Sequence, residues 1–176
     1  VAPGRVAWTL DGSAVAFAQD GPPRRVALAG MDGRLTTFTR TLAKVWHPVP
    51  MPGGRLLART TEPGYPALCE LTTGSAAPAL LQVAGVAVYG PAADANGRLA
   101  WVEFDDLRPV LMFQDGAAGE ARIISRGGHP LDLEPDSLTF TGDGKSVAYL
   151  SSCAAGPPVL HRVSLDSATP ATPARV

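Results

Sequence analysis

The chain has 176 residues, 45% of them hydrophobic and 18% charged, with a net charge of −1. That length supplies a core for one domain, and the near-neutral balance, with no Lys/Arg cluster, excludes the basic footprint of a nucleic-acid partner. Nineteen glycines and seventeen prolines, spread over the whole chain, leave few windows long enough for a three-turn helix, because proline removes a donor and clashes with the preceding turn; the class read from composition is all-β.

In chain order, Gly12, Gly54, Gly97 and Gly144 stand 42, 43 and 47 residues apart. An apolar–aromatic stretch precedes each: Val6-Ala7-Trp8, Val45-Trp46-His47-Pro48, Val88-Tyr89-Gly90-Pro91 and Leu138-Thr139-Phe140. A more apolar stretch follows each, such as Ala14-Val15-Ala16-Phe17 or Ser146-Val147-Ala148-Tyr149. Asp-Gly, Gly-Gly and Asn-Gly supply the positive φ angles of tight hairpins, so each unit opens with a hairpin.

Prolines at 22–23, 66, 109 and 157 are read as closing the second strand of each unit. Third strands follow in 25–28, 67–71, 110–113 and 159–163, and fourth strands in 35–39, 79–83 and 121–124. Four short strands per unit with a period of 40–50 residues describe a β-propeller blade. The units are placed at about 5–42, 43–84, 85–126 and 137–167, within one domain over 1–167. Residues 168–176, Ala-Thr-Pro-Ala-Thr-Pro-Ala-Arg-Val, are read as a tail. The architecture expected is about four blades of four antiparallel strands, as a closed ring or as an incomplete, open one. The uncharged stretch Leu71–Ala93 is broken by Pro78, Gly85, Gly90 and Pro91. It is read as two strands and a turn rather than a membrane span.

At Trp8-Thr9-Leu10-Asp11-Gly12-Ser13-Ala14-Val15-Ala16-Phe17 and Phe140-Thr141-Gly142-Asp143-Gly144-Lys145-Ser146-Val147-Ala148-Tyr149, the chain resembles TolB-like, WD-repeat-like propellers, whose blades carry Ser-Pro-Asp-Gly-Lys/Arg between two strands. The second and third units depart from the pattern, with Gly or Asn in place of Asp. The resemblance implies a propeller, often extracytoplasmic or in the cell envelope, that serves as a platform for other proteins. Related peptidases carry such propellers beside a hydrolase domain, for which this length leaves no room.

Few residues invite chemistry. His47, His129 and His161 and the two cysteines, Cys69 and Cys153, form no Cys-x-x-Cys or His-x-x-x-His spacing, so no metal site is expected. The cysteines are read first as small buried hydrophobes and second as a disulfide. No nucleophile elbow and no phosphate loop occur, so neither a catalytic site nor a cofactor is expected.

Two places are candidate contact loops for a partner. Glu103, Asp105 and Asp106 fall at the turn between the second and third strands of the third unit, a solvated hairpin end or a charged contact. The insertion Ser125–Asp136 carries His129, Asp132, Glu134 and Asp136. Trp8, Trp46 and Trp101 are read as core, since each lies within or beside a strand. The function expected is a non-enzymatic interaction scaffold, an accessory or structural subunit of a larger, membrane-associated complex whose partners are other protein subunits. The alternatives are a small-ligand or carbohydrate-binding propeller and a propeller fragment of a larger hydrolase.

Overall fold

A computed structural model describes residues 6–19, 25–38, 45–61, 67–72, 79–81, 89–106, 108–116, 118–126, 137–151, 157–166 and 174–175. Sixteen strands among them form four antiparallel sheets, each a meander in chain order. The first sheet holds β1 (Ala7–Trp8), β2 (Ala14–Gln19), β3 (Arg25–Gly30) and β4 (Leu35–Phe38). The second holds β5 (Val45–Pro50), β6 (Leu56–Thr60), β7 (Ala67–Leu71) and β8 (Ala79–Leu81). The third holds β9 (Tyr89–Ala93), β10 (Leu99–Asp105), β11 (Arg108–Gln114) and β12 (Ala121–Arg126), and the fourth β13 (Thr139–Phe140), β14 (Ser146–Ser151), β15 (Val159–Ser164) and β16 (Ala174–Arg175). The sheets group into two compact units, Val1–Ala84 and Gly85–Val176. Among the described residues no helix is long and apolar enough to cross a membrane.

The glycine turns form as the dipeptides dictate. Gly12 and Gly144 have φ of 68° and 64°, a left-handed geometry that costs other residues roughly 1–2 kcal/mol. The aspartate beside each glycine locks its turn. Asp11 Oδ1 accepts from the Ser13 N–H at 3.0 Å and from the Thr9 and Ser13 hydroxyls at 2.7 and 2.8 Å. The Ser13 N–H, ahead of those hydroxyls, holds the Asp11 carboxyl down at about 2.

Alternation along each strand then sorts residues to two faces. In the first unit Ala16, Val26 and Phe38 pack on Val45, Leu56, Ala58, Cys69 and Leu71 of the second sheet. In the second unit Ala100, Val102, Leu111, Phe113 and Ile124 pack on Leu138, Val147, Tyr149, Val163 and Leu165. Each sheet therefore buries an apolar face against the sheet beside it in its unit.

Three expectations need correction. Pro109 does not close a strand: it lies buried inside β11, opposite Phe104. It is the second residue of β11 and precedes the pairing with β12, which starts at Val110, so its missing N–H costs the ladder little. Second, the segment read as a tail supplies β16, in which Ala174 and Arg175 pair with Arg162 and His161. Ladder bonds come from the backbone, so a Pro/Ala/Thr-rich stretch can add an edge strand without an apolar pattern. Third, Trp8 is not core, being 59% exposed, whereas Trp101 is 1% exposed.

Cys69 lies on β7 with no accessible surface. Burial pushes its thiol up to about 12, so it is a thiol, not a thiolate, at neutral pH. We expect Cys69 to resist a thiol-reactive disulfide reagent at pH 8 in the native chain and to react once urea unfolds it; reaction of the native Cys69 at the unfolded rate would contradict this burial. Cys153, and with it the disulfide reading, lies outside the described residues.

Candidate interaction surface

The acidic cluster separates into three environments. The hairpin closes at Asp105, paired with Arg108, and Asp106 takes a positive φ of 48°. Asp105 is exposed and forms an ion pair with Arg126, and Asp106 is also exposed. Glu103 lies two residues inside β10 and is only 5% exposed; its Oε1 accepts from the Trp101 indole Nε1 at 2.7 Å. Glu103 is thus a buried hydrogen-bond partner rather than a contact-loop residue, because the strand runs on past it to Asp105. The i, i+2 spacing of Trp101 and Glu103 puts both on one face of a strand, a signal the sequence carried. His129, Asp132, Glu134 and Asp136 lie outside the described residues, while Ser125 and Arg126 of the same insertion belong to β12.

One nucleophile–base pair escaped sequence reasoning. Ser151 Oγ lies 2.7 Å from His161 Nε2, and the His161 ring stacks on Tyr149 at 5.2 Å. Ser151 is 8% exposed, as the last residue of β14, and the other ring nitrogen, Nδ1, meets no acceptor. With no carboxylate to orient the ring, the pair serves as a clasp between β14 and β15. Among the described residues no group of three or more His, Cys, Asp or Glu could hold a metal ion.

The most conspicuous surface belongs to the first sheet. Trp8 pairs with Val15, Val15 with Ala29, and Ala29 with Leu35. Directly paired residues share a face, so these four form a row across all four strands. It is the face opposite Ala16, Val26 and Phe38, which pack on the second sheet. Leu35 is 55% exposed, and Val6, in step with Trp8, is 63% exposed. Met31, in the turn after β3, is 73% exposed. Large exposed apolar side chains grouped on one sheet mark a contact surface.

Turn clefts lie at the glycine-bearing edge of each unit. One of about 240 Å³ is bounded by Thr9, Leu10, Ser13, Leu28, Met51 and Arg55. Another of about 310 Å³ is bounded by Asp94, Asn96, Phe140, Thr141 and Asp143. Both are at or below the lower end of the usual range for a small-molecule site.

No protein-family model and no curated protein matches the sequence. Solved structures do. TolB from Acinetobacter baumannii superposes with a TM-score of 0.76 at 16% identity, over 93% of this chain and 41% of that one. A structure of a nidogen/laminin complex gives 0.70 at 14% identity, over 92% of this chain and 60% of the other. A puromycin-hydrolyzing peptidase from Mycobacterium tuberculosis gives 0.66 at 17% identity, over 94% and 27%. The fold is β-propeller-like. Each sheet is a blade, and the chain spans less than two thirds of the length of each of these structures. The row Trp8–Val15–Ala29–Leu35 thus crosses one face of blade 1, exposed at Trp8 and Leu35 and half-buried at Val15 and Ala29.

Proposed function

We propose that this chain is a non-enzymatic protein-interaction module, part of an accessory or structural subunit in a larger complex. The observation that carries the reading is the set of exposed apolar side chains on blade 1: Trp8 and Leu35 at the two ends of the row, with Val6 and Met31 beside it. Tryptophan is over-represented among residues that dominate binding energy, and here it projects from a strand end with most of its surface in water. Likeness to TolB and to a structure of a nidogen/laminin complex supports a platform role. A cell-envelope, membrane-associated setting follows the TolB likeness alone.

The test compares the tagged chain with its Trp8→Asp variant in quantitative co-purification, identifying each retained protein. The expected result is loss of at least one specific partner by about tenfold or more, with an unchanged thermal midpoint, since Trp8 contributes little to the core. Equal retention of every protein by both chains would overturn the reading.

A second reading is supported by likeness to the puromycin-hydrolyzing peptidase, of which the chain spans 27%. In that case the module is the propeller portion of a larger hydrolase and the blade faces contact the rest of that enzyme.

A further inference from the structure

Each compact unit joins two blades, and the two junctions are built on one register with different side chains. The Thr9 N–H donates to the Ala14 carbonyl as the Asp94 N–H donates to the Arg98 carbonyl, so Ala14 of blade 1 stands where Arg98 stands in blade 3. Two residues on, Ala16 pairs with Leu28 as Ala100 pairs with Phe113. Leu28 in turn pairs with Thr36 as Phe113 pairs with Arg122. Leu28 and Thr36 therefore stand for Phe113 and Arg122. On the facing blade, Pro50 pairs with Leu56 as Phe140 pairs with Val147. The Met51 N–H donates to the Arg55 carbonyl as the Thr141 N–H donates to the Ser146 carbonyl. Pro50 thus stands for Phe140, and the turn Pro52–Gly54 for the turn that carries Gly144.

In the second unit, alternating arginines and phenylalanines fill the junction. The Arg98 guanidinium lies 5.7 Å over Phe140, Phe140 meets Phe113 edge-on at 6.5 Å, and Arg122 lies 5.2 Å over Phe113. Arg98 Nη2 also donates across the junction to the Gly144 carbonyl at 2.6 Å. The cleft that remains there is bounded by turn residues, and neither Arg98 nor Phe113 is in its walls. In the first unit the counterparts Ala14, Leu28, Thr36 and Pro50 supply no aromatic ring and no charge. The cleft of about 240 Å³ accordingly runs down to Ala14 and Leu28. A neighbouring one of about 460 Å³, along Met31, Arg34 and Thr36, meets it at Ser13, Ala14 and Leu28.

We propose that the cleft between blades 1 and 2 seats an arginine side chain of a partner protein, in the place that Arg98 fills in the second unit. Leu28, Pro50 and Met51 give apolar walls for the aliphatic stem. Asp11 bounds the same cleft. Its Oδ1 is committed to the turn, and the carboxyl, held at about 2, is ionised at neutral pH. The other charged side chain among the described lining residues, Arg55, is bound to Glu70 at 3.1 Å and to the Pro52 carbonyl. The Asp11 charge is therefore left for an incoming cation. A guanidinium fits better than an ammonium, because its planar fork binds a carboxylate through two donors and keeps others for the blade 2 turn. A space this size is small for a free ligand and suits one side chain whose backbone stays outside. The site lies on the side of blade 1 that meets blade 2, not on the Trp8 face, so it stands or falls apart from the interaction reading above.

An NMR amide titration of the full chain with the peptide acetyl-Gly-Gly-Arg-Gly-Gly-amide tests this. Shifts should centre on Ser13, Ala14, Leu28 and Gly54, with a dissociation constant of about 1 mM. The same peptide with citrulline, which keeps the shape and loses the charge, should bind at least about tenfold more weakly. Asp11→Asn, which keeps the Oδ1 acceptor of the turn, should weaken the arginine peptide by about the same factor. Ala14→Arg supplies the arginine from within the chain and should abolish binding; where that variant does not fold, Asp11→Asn decides.

An absence of shifts at these amides at about ten times the expected dissociation constant overturns the site. So does equal binding of the arginine and citrulline peptides, or binding unaffected by Asp11→Asn. Tighter binding of free arginine than of the peptide overturns a protein as the source of the side chain.

Discussion

Trp101→Ala is expected to lower the stability of the chain by about 3–5 kcal/mol, the cost of emptying a buried aromatic site. Trp101 is 1% exposed, with Leu99, Met112 and Val110, likewise buried, on the same face of the third sheet. The substitution also removes the donor to Glu103, which stays in a site only 5% exposed. Trp101→Phe separates the two effects. It keeps most of the ring but leaves the carboxylate without its indole donor, at about 1–3 kcal/mol. Adding Glu103→Leu to Trp101→Phe should recover part of that loss, because the unsatisfied charge goes with it. Urea denaturation followed by circular dichroism reads all three. Stability of Trp101→Phe within about 0.5 kcal/mol of the parent would show that the indole–carboxylate bond contributes nothing.

Arg98→Ala is expected to cost about 2–3 kcal/mol and to loosen blade 4 from blade 3. Arg98 binds Asp94 Oδ2 through Nε at 2.8 Å and Nη2 at 2.6 Å. It also donates to the Gly144 carbonyl and lies over Phe140. Its side chain is 20% exposed and that of Asp94 10%. Breaking a fully buried pair costs roughly 3–5 kcal/mol, and partial exposure discounts that figure. Arg98→Lys should recover less than half of the loss, since an ammonium keeps the charge but not the two-pronged geometry. Amide exchange at Val147 and Tyr149 would rise in step with the loss. Unchanged exchange there, alongside a destabilised blade 3, would show that Arg98 acts only within its own turn.

The hairpins were legible because their requirement is local: a positive φ at Gly12, Gly97 and Gly144 admits few residues, and the flanking strands follow. The strand edges were less so. Pro109 reads as a stop in any window, and only its place ahead of the β12 pairing makes it tolerable in a strand. Residues 174–175 carry no side-chain pattern because their pairing is a backbone affair. Burial of the tryptophans was the least legible. Trp8 and Phe140 occupy the same place before their glycines, and nothing in either segment states whether a neighbouring sheet lies over it. Burial is a property of two surfaces, and a sequence window contains one. Of the acidic cluster, the sequence located the turn but not its last strand residue, so Glu103 was grouped with two exposed aspartates from which it is chemically separate.

The meander order has a kinetic consequence. Among the described residues every ladder joins strands adjacent in the chain, and even the most widely spaced partners, such as Ser146 and Ser164, belong to one hairpin. Loop closure is therefore cheap within a blade, and low contact order favours fast formation. On the ribosome, which adds about 5–20 residues per second, blade 1 can zip up while blade 2 is still being made. For those seconds its Ala16–Val26–Phe38 side is wet. Synthesis of blade 2 then covers the Ala16–Val26–Phe38 side, so the burial that stabilises this pair of sheets is completed blade by blade, in the order of synthesis.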